Sequence, residues 1–291
     1  MLDQLAAAIA RHTDGWWSAT SVPRLTVVAL DELVAATDLL YEPMICFVAD
    51  GAKRTLAGDR SWVAGRGEMF LSSVVLPVTA TFERAPYRSA VLHLDSRVIT
   101  DLLLELDEPS PRALPGPVGQ ITAPMTPELV DVVTRWVRLL DAPEDIRPLA
   151  ARTESEILYR LLSSPLGPVL RQFAMVDSGA SRIRDAAAWI STHYSAPLTV
   201  EEIAAAAHMS TATLHRHFKA ATGMSPMRFQ KHLRLQEARR LLVGGDTTAA
   251  QAAEAVGYAS ATQFNREYRR AYGLPPAQDA ARLRGRLTTA G

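Results

Sequence analysis

The fold of the C-terminal part of this 291-residue chain is decided by two related stretches, Ser210-Thr-Ala-Thr-Leu-His-Arg-His-Phe218 and Ser260-Ala-Thr-Gln-Phe-Asn-Arg-Glu-Tyr268. They lie fifty residues apart and share a Ser, an apolar residue, an Arg and an aromatic residue at matched positions. Each is followed by a Gly and a Pro, namely Gly223 and Pro226, then Gly273 and Pro276. Such self-similarity indicates one supersecondary unit used twice. The pattern predicts a tandem pair of helix-turn-helix units.

Local signals set the limits of these units. Thr199 and Glu202 have the spacing of a capping box, and Ser225-Pro226 can open a helix. We therefore predict helix-turn-helix units over 199–223 and 248–273, joined by a long helix over 226–243. That helix of 18 residues is about 27 Å long at about 1.5 Å per residue. Successive major-groove faces of DNA lie roughly 34 Å apart, so the spacing suits two DNA-reading heads.

The second helix of each unit has an apolar face and an outward polar face. The outward residues supply small side chains and hydrogen-bond donors suited to base edges, since Arg can bond guanine and Asn adenine. From this pattern alone the candidates are Ala212, His215, Arg216, Lys219, Thr262, Asn265 and Arg266. Basic residues of the joining helix could face phosphates: Arg228, Lys231, Arg234, Arg239 and Arg240. The alternative for each Arg is a solvated helix surface.

Charge separates the two halves of the chain. Residues 181–291 hold 15 Lys and Arg against 8 Asp and Glu, a net charge of +7. Residues 1–180 hold 16 against 23, a net charge of −7, so the whole chain is neutral. The basic end fits a phosphate-binding domain, and the acidic end is expected to do another job.

The segment from Ile183 to Pro276 resembles the DNA-binding domain of the AraC/XylS family of bacterial transcription regulators. The carrying motifs are Ile203-Ala204, Met209-Ser210, Leu214–Lys219, Gly223–Pro226, Arg234–Arg239, Ala253–Tyr258, Phe264–Tyr268 and Gly273–Pro276. By this resemblance the base-facing positions are Ala212, His215 and Arg216 in the first unit and Ala261, Thr262, Gln263 and Arg266 in the second. One departure is His208, which stands where the family usually has a Gly in the first turn.

Residues 21–95 show the alternation and turn signals of short β-strands. We predict strands over Leu25–Leu30, Met44–Ala49, Ser61–Val63, Glu68–Ser72, Pro77–Phe82 and Ser89–Leu94, which suggests a small barrel or sandwich. Helices follow over Ser96–Leu106, from Thr126-Pro127, and over about Glu154–Leu162. The predicted class is α+β, with domains 1–177 and 178–291 divided at a linker over Asp177–Ala180.

The acidic half resembles the cupin-like N-terminal domain of one AraC subgroup, through Tyr41–Gly51, Leu71–Val78 and Leu92–Asp95. The resemblance implies a barrel that senses a small molecule, followed by helices that dimerise the protein. The apolar stripe Leu129–Leu140 could be the dimer helix or could pack on its own barrel. A barrel mouth of aromatic residues would suit a mostly apolar ligand, although such residues are more often core. The candidates are Tyr41, Phe47, Trp62, Phe70 and Tyr87.

Three alternatives stand beside a sensor. A metal-dependent cupin enzyme would need clustered ligands, but this half has only His12 and His93, so we predict no metal or cofactor. Cys46 could sense oxidants or electrophiles, although its apolar surroundings favour an inert thiol. A purely architectural DNA binder would not need the long acidic half. Trp16-Trp17 could form an arm over the barrel or simply anchor the N-terminus.

These observations favour a sequence-specific DNA-binding transcription regulator controlled by a small-molecule effector, and not an enzyme. The expected partners are double-stranded DNA, the effector and a second copy of the chain in a homodimer, with RNA polymerase a further candidate. No apolar run approaches the roughly 20 residues of a membrane span. The N-terminus lacks a basic start before its apolar stretch, and a single cysteine suits a reducing compartment. We therefore expect a cytoplasmic protein.

Overall fold

The computed structural model of the protein describes residues 1–106, 118–175, 178–245 and 247–289. The chain divides into two compact units, Met1–Asp185 with Arg216–Met224, and Ala186–His215 with Ser225–Gly291. Asp177 of the predicted linker lies outside the described residues. Ser178 follows it and caps the next helix, because its Oγ accepts the backbone N–H of Ser181 at 3.0 Å. Ser181 itself lies inside the helix, which spans Gly179–His193.

The first unit is built around one antiparallel sheet. Its strands are β1 (Trp17–Ala19), β2 (Leu25–Leu30), β3 (Thr37–Tyr41), β4 (Met44–Ala57), β5 (Arg60–Gly65), β6 (Glu68–Ser72), β7 (Leu76–His93) and β8 (Gln120–Pro124). The order of neighbours is β1-β2-β7-β4-β6-β8, with β3 also paired to β7 and β5 to β4. The predicted barrel-like β domain is therefore present, and β1, β3 and β8 are strands that the sequence did not reveal.

Two of these strands are much longer than predicted. The turn signal Asp50-Gly51 does not end a strand, because β4 continues through it as a bulge. Gly51 has a φ of 74° there, and a Cβ on it would collide with backbone of Arg84 and Pro86 on β7. Likewise Ala85-Pro86 lies within β7 and joins two predicted strands into one. Bulges keep strands paired where the sequence looks like a turn.

Successive residues of β4 face opposite sides of the sheet. One side carries Ile45, Phe47 and Ala49, which pack into a core with the helices around the sheet. These are α1 (Leu2–Arg11), α2 (Ser96–Glu105), α3 (Pro127–Arg138), α4 (Pro143–Leu162) and α5 (Gly167–Ala174). The other side carries Met44, Cys46 and Val48, which face the interior of the β structure.

The helix α3 begins as predicted, with Thr126 Oγ1 accepting the N–H of Leu129 at 3.3 Å and Pro127 at the first helical position. Its apolar stripe is buried in its own unit, with Trp136 and Val137 fully covered. Of the two roles considered for this stripe, the structure shows packing on its own barrel. The next helix, α4, is longer than the predicted Glu154–Leu162. It starts at Pro143 and contains Pro148 in its second turn.

Helices fill the rest of the chain: α6 (Gly179–His193), α7 (Val200–Ala206), α8 (Thr211–Thr222), α9 (Pro226–Gly244), α10 (Ala249–Ala255), α11 (Ala261–Tyr272) and α12 (Pro276–Thr289). Each predicted helix-turn-helix span contains a pair of helices, α7 with α8 and α10 with α11. The predicted joining helix is α9. No described helix is long and apolar enough to cross a membrane.

The repeat in sequence is a repeat in backbone geometry. Thr199 with Glu202 and Thr248 with Gln251 form complete capping boxes at the starts of α7 and α10. The turns that follow are closed alike, by N–H bonds from Met209 to Ala204 and from Tyr258 to Ala253, each 2.9 Å. Both turns need a residue with positive φ, which is His208 at 50° and Gly257 at 83°. The departure noted at His208 thus falls on the strained position itself.

Candidate functional site

The helices α8 and α11 each present an exposed face and a buried face. The apolar residues Leu214 and Phe218 of α8, and Phe264 and Tyr268 of α11, are fully buried. All nine sequence-predicted DNA-contacting residues are exposed: Ala212, His215, Arg216, Lys219, Ala261, Thr262, Gln263, Asn265 and Arg266. The spacing of three and four residues places the outward side chains of each helix on one stripe. Two helices of like construction thus expose small, amide and guanidinium groups.

Packing against the second unit's core fixes α11. The Phe264 ring lies 5.3 Å from the ring of Tyr258 and 5.4 Å from that of Tyr268, in edge-to-face arrangements. Ser260 caps the helix by accepting the N–H of Gln263, and Gly273 ends it with a φ of 78°. A helix held at both ends and along one side offers its other side as a rigid surface.

Some predicted base-facing residues have partners within the protein, as Arg216 does in His217 at 3.5 Å. Gln263 Nε2 donates to Glu267 Oε1 at 3.3 Å, and Glu267 also accepts from the Tyr258 hydroxyl at 3.0 Å. Lys231 Nζ lies 3.5 Å from the same carboxylate. Burial alone would raise the pKa of Glu267, but these donors outweigh it and lower the pKa. Gln263 must therefore exchange this bond to reach a base.

The basic residues of α9 divide into two groups. Arg234 donates to the carbonyls of Tyr194, Ala196 and Gly257 at 2.6–2.9 Å, and so ties the segment after α6 and the second turn to α9. Arg239 pairs with the buried Asp279 at 2.8 Å. These two side chains are thus engaged within the protein, which is neither the phosphate-facing nor the solvated arrangement considered for them. Arg228, Lys231 and Arg240 remain exposed.

A cavity of about 660 Å³ lies in the first unit. Its wall comes from the segment 16–26 and from β2, β3, β4 and β7, and most of it is apolar. Polar groups enter it at Arg24, Thr26, Glu42, Lys53 and His93. This volume is within the range of about 300–1,000 Å³ typical of small-molecule sites.

Two of the wall's cations have partners. Arg24, held at a φ of 60°, donates through Nε and a terminal nitrogen to both oxygens of Glu154, at 2.7 and 2.5 Å. His93 Nε2 lies 3.0 Å from Thr26 Oγ1, and His93 Nδ1 lies 4.0 Å from a carboxylate oxygen of Glu42. Lys53 is different, because no carboxylate of the described residues comes within salt-bridge distance of it.

The five aromatic residues proposed for ligand contact are spread over the unit. Tyr41 lines the cavity. Phe70 and Tyr87 are buried beside it, Phe70 edge-to-face with Tyr41 at 6.1 Å and Tyr87 with Phe82 at 4.9 Å. Trp62 packs edge-on to Phe70. Phe47 lies on the opposite face of β4, in the core shared with the helices, because side chains alternate along the strand.

Cys46 is fully buried, and its Sγ lies 3.5 Å from the Tyr87 hydroxyl. It is not part of the cavity wall. Lys53 Nζ lies 3.9 Å from this sulfur, but reactive cysteines are also partly exposed, so the complete burial of Cys46 gives no support to the sensor alternative. Within the parts of the chain that the structure describes, no three His, Cys, Asp or Glu side chains gather in a way that could hold a metal ion.

Comparison with known proteins identifies the family. Residues 21–169, just over half of the chain, match the family model of the AraC-type transcriptional regulator N-terminus, and residues 203–282 match a helix-turn-helix domain. The chain belongs to the AraC/XylS family of transcription regulators. Both resemblances inferred from the sequence are confirmed.

Curated AraC-family relatives are activators by description. The HTH-type transcriptional activator RhaS of Pectobacterium carotovorum subsp. carotovorum (strain PC1) is 34% identical over 140 residues, which is 47% of this chain and 47% of that protein. RhaS of Shigella sonnei (strain Ss046) is 25% identical over 211 residues, or 68% and 74% of the two chains. The chain thus spans about half the length of the first of these relatives.

Solved structures share the AraC-family fold over most of the chain. An apo variant of ToxT from Vibrio cholerae strain SCE256 superposes with a TM-score of 0.56 at 10% identity, covering 92% of this chain and 98% of that one. Wild-type ToxT from the same strain, described as bound to an unsaturated fatty acid, gives 0.55 at 11% identity, covering 93% and 96%. At such identities the likeness concerns the fold alone.

Sequence reasoning named some residues of the cavity wall and missed others. Trp16 and Trp17, considered as an arm over the barrel or an anchor of the N-terminus, line the cavity from β1 and the residue before it. Lys53 was missed because the expected strand stopped at Ala49. A buried lysine also contradicts the usual preference of this residue for the surface.

Proposed function

We propose that this AraC-family chain binds specific DNA sequences through α8 and α11, and that a small molecule in the N-terminal cavity controls this binding. The observation that carries the proposal is the pair of exposed helix faces, each set on a helix-turn-helix with the same caps and the same turn bonds. A DNA target implies work in the bacterial cytoplasm. The homodimer expected from the family resemblance would need a surface other than the buried stripe of α3.

Each outward side chain has a defined role in this proposal. Arg216 and Arg266 are the guanine readers, since a guanidinium can bond O6 and N7 together, and Asn265 suits adenine. Ala212 and Ala261 leave room for a thymine methyl group. Lys219 contributes charge toward the phosphate backbone, which sets affinity more than sequence choice.

Effector control requires two conformations that differ in DNA affinity and in ligand affinity. The cavity supplies the ligand site, and its wall includes Trp16 and Trp17, whose side chains are about half exposed. A ligand there contacts residues that belong to short, exposed structure near the N-terminus. Such structure has few buried contacts and is readily reordered.

The test is selection of bound sequences from a random DNA pool by the full chain at near-physiological salt, with Arg216→Ala and Arg266→Ala in parallel. Arg147→Ala, an exposed arginine of α4, is the matched control. We expect a two-part motif with the wild-type chain and the control. Each reading-head variant should weaken binding to that motif by roughly 10–100-fold and relax one part of it. Unchanged motifs in both variants would refute the assignment.

A further inference from the structure

The strongest unexplained feature of the first unit is Lys53. Lys53 is only 6% exposed, yet it lines the cavity and has no carboxylate partner among the described residues. Cys46 Sγ lies 3.9 Å from Nζ, and the rings of Tyr41 and Tyr87 lie 5.3 and 5.7 Å from it. Lysines are seldom buried without a counter-charge, because removal of the ammonium from water is costly.

The backbone is arranged to put this lysine inside. The register of β4 against β7 shifts between Val48 and Lys53, so the alternation of side chains changes phase there. After the bulge, Lys53 and Thr55 point inward, whereas Arg54 faces outward and pairs with Glu83 at 2.5 Å. Bulges commonly re-aim a side chain toward a functional site. Without this bulge the neighbouring Arg54 or Ala52 would occupy the inner position.

The environment keeps Lys53 charged. Burial alone would lower the pKa of Lys53, but the thiol of Cys46 and the phenols of Tyr41 and Tyr87 favour the ammonium and raise the pKa well above its ordinary value. The two aromatic faces add cation–π attraction. The site therefore holds a positive charge ready for a negative one.

The other residues of the cavity wall indicate which kind of anionic ligand would fit. Arg24 is neutralised by Glu154, and His93 lies between Thr26 and Glu42, so within the described part of the chain Lys53 is the basic side chain of the wall with no carboxylate nearby. One cation in a cavity that is otherwise mostly apolar suits a single negative charge on an apolar body.

We propose that Lys53 binds the carboxylate of a small, largely apolar monocarboxylic acid, and that this acid is the effector class of the cavity. The inference rests on the proposed function, because it names the ligand of the same sensing site. The acid would supply the missing counter-charge, and its apolar body would fill the remaining volume against Val28, Leu39 and Val91.

The test compares carboxylic acids with their primary amides, which have nearly the same shape but no charge. Octanoate, decanoate and phenylbutyrate are each titrated beside their primary amides into the full chain at neutral pH. Binding is followed by thermal shift and by the fluorescence of Trp16 and Trp17 in the cavity wall. At least one acid should bind and raise the melting temperature, and it should bind at least ~10-fold more tightly than its amide.

Variants assign that preference to Lys53. In Lys53→Met the acid should bind no better than its amide, while the ligand-free melting temperature stays the same or rises, because an apolar side chain replaces a buried charge. Lys53→Gln serves if the first variant does not fold. The matched control is Arg54→Met, the outward neighbour on β4, which should keep the full preference. Equal binding of acid and amide by the wild type, no binding of any acid, or a preference that survives loss of Lys53 would each overturn the proposal.

The outcome separates this inference from the function on which it rests. A chain that selects a DNA motif but shows no acid preference would keep the proposed function and lose the ligand class. A chain that prefers the acids through Lys53 but selects no DNA motif would do the reverse.

Discussion

At the residue scale, Arg266 tests whether α11 reads bases or only holds charge. Arg266→Lys keeps the charge but loses the planar fork that bonds guanine through two atoms. We expect discrimination against single-base changes in the selected site to fall by roughly 1–3 kcal/mol, while binding to random DNA at low salt is retained. Fluorescence anisotropy with labelled duplexes measures both quantities.

The control for Arg266 lies on the same helix. Arg270 is also exposed, and it lies on the same face one helical turn beyond the predicted base-facing residues. Arg270→Lys should leave both discrimination and overall affinity unchanged. Loss of discrimination in Arg270→Lys, or its survival in Arg266→Lys, would mean that the base-contacting residues of α11 have been assigned wrongly.

The turns of the two helix-turn-helix units allow a second test at the residue scale, which concerns backbone strain. His208 holds a φ of 50°, a conformation that costs residues with a Cβ about 1 kcal/mol, whereas Gly adopts it freely. His208→Gly should therefore stabilise the folded protein by roughly 0.5 kcal/mol after the entropy of an added Gly is counted. Thermal unfolding followed by circular dichroism reports the change as a higher melting temperature.

The opposite substitution, from Gly to a residue with a Cβ, tests the matching turn of the second unit. Gly257 has a φ of 83°, and a Cβ there would collide with the Ser195 carbonyl oxygen. Gly257→Ala should lower the melting temperature strongly, since neither the turn nor the neighbouring backbone can move cheaply. A fall in His208→Gly would show that contacts of the histidine side chain outweigh its strain.

At the element scale, Asp279 ties three helices of the second unit together. Its buried carboxylate accepts from Arg239 of α9 at 2.8 Å, from the Tyr268 hydroxyl of α11 at 3.0 Å and from Arg282 of α12 at 2.6 Å. Asp279→Asn would remove the negative charge that pairs with Arg239, whose side chain is 13% exposed. We expect a loss of about 3 kcal/mol in the free energy of unfolding, measured by urea titration. Glu254→Gln, at an exposed position of α10, is the control.

The same carboxylate should make the stability of this unit fall at low pH. Burial alone would raise the pKa of Asp279, but Arg239, Arg282 and Tyr268 outweigh it and lower the pKa. A depressed native pKa contributes stability above the unfolded value of about 3.9, and that contribution disappears as the pH falls through the native pKa. Wild type should therefore lose melting temperature below about pH 4 more steeply than Asp279→Asn. Parallel slopes would place the acid sensitivity in other groups.

Elements differ in how far the sequence could predict them. Helix ends and turns of the repeat follow from neighbouring residues, such as Thr248 with Gln251, so they were predictable within a residue or two. The course of β4 was not, because Asp50-Gly51 is a turn signal that a partner strand converts into a bulge. That bulge decides whether Lys53 or Arg54 faces the cavity, and no local pattern distinguishes the two. Long-range pairing therefore hid the residue on which the ligand proposal rests.

At the scale of the whole molecule, the two halves carry opposite charge and different tasks. The basic half presents the helix faces proposed to read DNA, and the acidic half encloses the cavity. Burial of the α3 stripe in its own unit means that helix folding and barrel folding are one event in the first half, since Trp136 and Phe47 share a core. A disturbance of that core would alter the cavity and the helices that follow it together.

If the ligand site controls DNA binding, thermodynamics demands that DNA controls ligand binding by the same factor. We expect the best-binding acid to change affinity for the selected DNA by about 5–150-fold in one direction, and a saturating amount of that DNA to change affinity for the acid equally. Anisotropy with and without acid gives the first factor, and tryptophan fluorescence with and without DNA gives the second. Lys53→Met should remove both together. Unequal factors would show that a further equilibrium, such as self-association, is linked to only one of the two ligands, because two sites coupled through a single conformational change cannot differ in this respect.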